Sequence, residues 1–224
     1  VYGLSLAKGL IAGGIAKNVL LITAEAYSKF IHPSDKSNRT IFGDAAAATL
    51  ITAAPGKASI GEFVLGTDGS GAENLIVKNG ACKQPDRSSS ADVVDEYNNV
   101  TNDNNLFMNG PEIFNFTSEA VPQLIAATLE KNQLTDADLQ LYIFHQANKY
   151  MLNHLRKKMG IDEQRFWLFL RNCGNTVSST IPIALAEAMR QGAITPQARV
   201  LLAGFGVGYS WGGCVIQFND QPIN

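Results

Sequence analysis

Leu141-Tyr142-Ile143-Phe144-His145-Gln146-Ala147-Asn148 is the stretch on which the fold turns. Four consecutive large apolar residues, too few for a helix and bounded by polar ones, predict a short strand buried on both faces. Ala147–Met159 then carries helical spacing and stops at Gly160, a residue suited to a left-handed C-cap. A buried strand that feeds directly into a helix is the unit of layered α/β folds. His145 therefore stands at the carboxyl end of a strand, where open α/β folds place ligands and catalytic groups.

Working toward the C-terminus, Ser178–Gln191 reads as a helix entered through Asn175-Thr176-Val177 and stopped by Gly192. Ala198–Ala203 and Tyr209–Phe218 read as strands joined across Gly204-Phe205-Gly206-Val207-Gly208. Toward the N-terminus, Glu112–Asn132 is helical with Pro122 as an expected kink or break, and Thr135–Asp138 offers caps for one further turn. Residues 1–16 predict a helix closed near Gly13-Gly14, Val19–Thr23 a strand, Ala46–Thr52 a buried strand and Ala58–Gly66 another. Residues 68–105, rich in Gly, Asn, Ser and Asp, are expected to form a long surface excursion. The helical pattern starts at full strength at Val1 with no N-cap or polar lead-in, so a cut edge is expected there.

Composition narrows the function. The 224 residues carry 18 Lys+Arg against 20 Asp+Glu, which leaves no positive excess to track phosphates and excludes a dominant nucleic-acid role. No apolar run approaches the roughly 20 residues of a membrane helix. Cys82, Cys173 and Cys214 lie far apart without CxxC spacing, which argues against a structural metal site and a disulfide framework and for a reducing, cytoplasmic setting.

Two polar residues invite chemistry. His145 does so by position, whereas His154, beside Arg156, Lys157 and Lys158, and His32, in a polar loop, read as solvated. Asn175, in Asn172-Cys173-Gly174-Asn175-Thr176, is either a helix N-cap or an amide donor to an oxygen that gains charge during reaction. Cys173 reads as a small buried apolar residue, Cys214 as core, and Cys82 has no setting that would activate it. The glycine run 204–212 is followed by a strand pattern, not the helix N-terminus that a phosphate cradle needs. It reads as a tight turn whose N–H groups can form an oxyanion hole.

Phe42-Gly43-Asp44, Met108-Asn109-Gly110 with Phe114, His145-Gln146-Ala147-Asn148, Gly174-Asn175-Thr176 and Gly204–Gly212 occur in one order. As a set they resemble the β-ketoacyl-acyl carrier protein synthase III family of thiolase-like condensing enzymes. The resemblance implies a thiolase-like layered α/β/α/β/α fold, with residues 1–56 the tail of its N-terminal half and 57–224 its C-terminal half. It implies a homodimer that joins an acyl-CoA primer to malonyl-acyl carrier protein by decarboxylating Claisen condensation in fatty acid biosynthesis, without metal or cofactor. His145 and Asn175 are then the enolate-stabilising pair. Phe205, Gly206 and Val207 support decarboxylation and the oxyanion hole, Phe205 as an apolar wall and Val207 through its backbone N–H. Asn148 is a structural or water-holding neighbour. Lys36 stands where many members have an arginine near the CoA adenine, and Lys149 and Arg156, with Lys157, guide the acidic carrier. The family's acyl-accepting cysteine falls four residues before Val1, so the chain as given is not expected to transfer acyl groups by itself. The family's Gly-Asp-Gly-Ala-Gly-Ala reads Gly43-Asp44-Ala45-Ala46-Ala47-Ala48 here. A condensing enzyme or acyltransferase of secondary metabolism, and a non-catalytic module that needs a partner half, are the alternatives.

Overall fold

A computed structural model describes residues 1–86 and 90–220. Residues 87–89 of the expected excursion and the last four residues lie outside the described residues. Helix α1 (Tyr2–Ala12) leads through Gly13 into β1 (Asn18–Glu25), and a short α2 (Lys36–Arg39) precedes β2 (Ala45–Thr52). The two strands pair antiparallel, from Asn18 opposite Thr52 to Glu25 opposite Ala45. Helix α1 comes so close that a Cβ at Gly3 would stand 2.8 Å from Leu21.

A larger sheet follows. Strands β3 (Ala58–Ile60) and β4 (Val64–Thr67) both pair with β11 (Ser210–Phe218), which pairs with β10 (Arg199–Gly206), which runs parallel to β9 (Leu141–Phe144). Tyr142, Phe144, Leu201 and Ala203 face α3 (Gly110–Lys131) and α4 (Lys149–Lys158). Ile143, Val200, Leu202 and Cys214 face the opposite way, onto α5 (Thr180–Arg190) and the start of α1. Both faces being covered, the strands read as unbroken apolar runs. Gly213 marks the closest approach of α3, because a Cβ there would lie 2.2 Å from Thr128 Oγ1. Helix α5 also packs on β2, so the layers run α3/α4, large sheet, α1/α5, small sheet.

Several expectations change. Pro122 does not break α3, which is one helix of 22 residues. Proline deprives the carbonyl four residues back of its partner, and Lys158 Nζ donates to that Ser118 carbonyl at 2.9 Å. Ala58–Gly66 is two strands, not one. Between them the Asn132 amide at the end of α3 accepts from Glu62 N–H and donates to Glu62 C=O, replacing the ladder. Ala46–Thr52 is a strand, but it is not buried: alternate residues of β1 and β2 are exposed, with Leu20 at 59%, Ile22 at 63% and Leu50 at 64%. The small sheet has one open face in this chain. The excursion folds into two small antiparallel ladders, β5 (Leu75–Val77) with β8 (Leu106–Met108) and β6 (Val93–Val94) with β7 (Val100–Thr101). Among the described residues no helix is long and apolar enough to cross a membrane.

Candidate active site

The carboxyl end of β9, the β10–β11 turn and the first residues of α1 enclose a cavity of about 420 Å³. His145, Asn148, Asn175, Phe205, Gly206 and Val207 all line it; Lys36, Lys149 and Arg156 do not.

His145 is placed by the sheet. Its N–H donates to Ala203 C=O at 2.7 Å, which carries the β9–β10 ladder one residue past the strand. The ring meets Phe205 edge to face at 5.6 Å, and Nδ1 lies 2.7 Å from Thr180 Oγ1. Burial pushes the imidazole pKa down to about 4, against the opposing pull of the Val177 backbone. The ring is therefore neutral at pH 7, with Nδ1 occupied and Nε2 on the cavity side. The adjacent Gln146 is 1% exposed. Its Nε2 donates to Phe144 C=O at 2.7 Å and Trp167 C=O at 3.3 Å, and its Oε1 accepts from Phe169 N–H at 2.7 Å. Gln146 thus ties the end of β9 to the segment that leads to Asn175. No role was read for it from sequence, although an amide directly after four apolar residues is the available signal.

Asn175 is held by a distant loop. Its N–H donates to Ile41 C=O and its C=O accepts from Gly43 N–H, each at 2.9 Å, in a parallel bridge opposite Phe42. Glycine is required at 43, since a Cβ would stand 2.0 Å from the Cys173 carbonyl. The motif Phe42-Gly43-Asp44 thereby acts on the site through backbone. The Asn175 side-chain oxygen accepts Val177 N–H at 2.9 Å, which opens the 3-10 turn Val177–Ser179. The two readings of Asn175 are therefore compatible: the oxygen caps, and the Nδ2 donors are left for the cavity. Val177 adopts φ +53°, rare for a β-branched residue. Thr23 Oγ1 to Ser179 Oγ at 2.9 Å and Ser178 Oγ to Glu25 Oε1 at 2.5 Å tie the small sheet to this turn.

Phe205 is 7% exposed and packs between Phe144 and His145, and Val207 occupies the hairpin turn. Asn148 caps α4, its Oδ1 accepting from Met151 N–H at 2.8 Å. Burial raises the Cys173 thiol and pushes Cys214 up to about 12, so neither is an activated nucleophile. Lys36 is exposed at the start of α2, its N–H donating to Asn99 Oδ1 at 2.6 Å. Arg156 does not share the solvent face with Lys149. Its guanidinium folds back to donate to Ile161 C=O at 3.3 Å and to Glu163 at 3.5 Å, leaving the side chain 15% exposed. The unpaired carbonyls past the helix C-terminus attract a cation there. Lys149 and Lys157 remain exposed. Among the described residues no group of three or more His, Cys, Asp or Glu is placed to hold a metal ion.

Four α and β layers with a histidine and an asparagine amide meeting in a cavity between them define a thiolase-like protein. The model of the 3-oxoacyl-[acyl-carrier-protein] synthase III family matches residues 1–69, and that of its C-terminal part matches residues 129–218. A crystal structure of a 3-oxoacyl-(acyl-carrier-protein) synthase III, 48% identical, superposes with a TM-score of 0.93 over 97% of this chain and 65% of its own. That of β-ketoacyl-[acyl carrier protein] synthase III from Thermus thermophilus, 32% identical, gives 0.84 over 98% and 65%. β-Ketoacyl-[acyl-carrier-protein] synthase III of Lactococcus lactis subsp. lactis is 37% identical over 96% of this chain. The chain spans 64% of that relative's length. The chain belongs to the 3-oxoacyl-[acyl-carrier-protein] synthase III family.

Proposed function

We propose that the intact protein joins an acyl-CoA primer to malonyl-acyl carrier protein by decarboxylating Claisen condensation, as an acyltransferase of fatty acid biosynthesis. The observation that carries this reading is the pairing of a neutral His145 with an Asn175 amide whose oxygen is already satisfied, both in one cavity. Such a pair offers hydrogen-bond donors to a thioester oxygen. Loss of CO₂ from the malonyl group leaves its electron pair as an enolate, whose oxygen takes hydrogen bonds from His145 and Asn175. The enolate carbon then attacks an acyl-cysteine thioester; the new C–C bond forms as the C–S bond breaks and the thiolate leaves. The family resemblance puts that cysteine four residues before Val1, and Val1, Tyr2 and Gly3 line the same cavity. Phe205 supplies an apolar wall that disfavours the charged carboxylate and so favours its loss. Val207 N–H, with Gly206 beside it, faces the oxygen of the acylated cysteine.

The remaining assignments rest on the same reading. Lys149 and Lys157 draw the acidic carrier, Lys36 approaches the CoA phosphates, and the protein is a cytoplasmic homodimer that needs no cofactor. Residues 1–56 and 57–224 belong to its two thiolase-like halves. In the intact protein His145→Ala and Asn175→Ala should each slow malonyl-carrier decarboxylation by about 10²- to 10³-fold, with far-UV circular dichroism unchanged. Wild-type rates in both variants would overturn the proposal.

A further inference from the structure

Two protons and three acceptors meet behind His145. Thr180 Oγ1 lies 2.7 Å from His145 Nδ1 and 2.9 Å from Val177 C=O, and has a single hydrogen to give. If that hydrogen goes to Val177, the hydroxyl oxygen takes a proton from Nδ1 and the neutral ring shows a lone pair at Nε2. If it goes to Nδ1, the ring proton must reside on Nε2, on the cavity side. The second arrangement does not strand Val177, because that carbonyl also accepts the backbone N–H of Thr180.

We propose that Thr180 is a positioning residue that sets the tautomer of His145: its hydroxyl donates to Nδ1 and so keeps the hydrogen on Nε2, where a substrate oxygen is met. The geometry favours this because a carbonyl with a backbone donor can release the hydroxyl, whereas an imidazole with a lone pair toward a developing oxyanion repels it. Thr180 is 3% exposed and no water competes for its hydroxyl from bulk solvent. Thr180 is the first residue of α5, and its hydroxyl lies against the ring. Without the hydroxyl, the acceptor left near Nδ1 is the Val177 carbonyl, and the ring proton moves to Nδ1. The inference rests on the condensing role of His145 for part of its argument and for its consequence, but not for its test.

The test uses the full-length protein with ¹⁵N-labelled histidine imidazoles at pH 7, where the ring is neutral, with the His145 signals assigned by comparison with His145→Gln. Wild type and Thr180→Ser should carry the proton on Nε2, and Thr180→Val and Thr180→Ala on Nδ1. Malonyl-carrier decarboxylation in the two hydroxyl-free variants should fall at least about tenfold in kcat with KM little changed, and Thr180→Ser should stay within about threefold of wild type. A proton on Nδ1 in wild type, or on Nε2 in a folded hydroxyl-free variant, overturns the inference. Absence of decarboxylation in every form would overturn the condensing reading instead, while the nitrogen shifts still decide the role of Thr180.

Discussion

The large sheet and the small sheet are written in similar apolar residues and end in opposite states. In β10, Val200, Leu201, Leu202 and Ala203 are all fully buried, since α3 and α4 cover one face and α5 the other. In β1 and β2 the face toward α1 and α5 is half-buried, and the face bearing Leu20, Ile22 and Leu50 is open. An apolar run records what a strand is suited to touch, and the layers on either side decide what it does touch. The two candidate catalytic side chains stand where both kinds of sheet contribute. His145 hangs from the large one, while Asn175 is clamped to the loop that enters the small one.

Truncation should separate the two regions most sharply. Leu202→Ala is expected to cost about 2–5 kcal/mol, because it opens a void between β10 and α5, and Leu50→Ala under about 1 kcal/mol. Urea midpoints of the two variants at equal slope measure the difference, and equal losses would break the contrast.

Protonation of a histidine should act through the large sheet, from which His145 hangs, since β1 and β2 contain no histidine. His145 has a pKa of about 4 when folded against the usual 6.5 or so when unfolded, so between those values the unfolded chain holds more protons. The stability His145 allows is complete above pH 6.5 and declines as pH falls toward 4, by roughly 3 kcal/mol in all. Thermal unfolding followed from pH 7 to pH 4 should show that slope, and His145→Gln should flatten it; an unchanged slope would place the acid sensitivity elsewhere.

A small effect is also expected at the seam between the regions. Ser179→Ala removes the hydroxyl pair with Thr23 and should cost about 1 kcal/mol. A loss beyond about 3 kcal/mol in a thermal melt would mean that this seam, rather than the packing of α1 and α5, holds the small sheet in place.

Much of the fold was legible because its strands and helices carry strong local signals. Leu141–Phe144 was read to the residue, and Gly13, Gly160 and Gly192 each close the expected helix. The unbroken run of α3 through Pro122 has no local signal, because the Lys158 ammonium that takes the orphaned carbonyl comes from another helix 36 positions on. The break at residues 61–63 escaped for the same reason: the Asn132 amide that repairs it lies 70 positions away. In the candidate site each quoted motif sends at least one residue to one cavity, but their supports were invisible. Gln146 and Thr180 carry ordinary polar side chains whose meaning lies in the carbonyl and imidazole they meet. Arg156 was assigned to a helix face by spacing alone, and the free carbonyl of Ile161 took it instead.

The sequence by itself determined the layers and the family and offered His145 and Asn175 as the candidate pair, because periodicity, caps and short motifs act over a few neighbouring residues. Tertiary structure alone decided which apolar faces are covered, which amide atom of Asn175 stays free and which partner His145 Nδ1 finds. Those outcomes depend on hydrogen bonds between segments far apart in the chain, such as Asn175 with Ile41 at a separation of 134 positions, for which the chain carries no local signal.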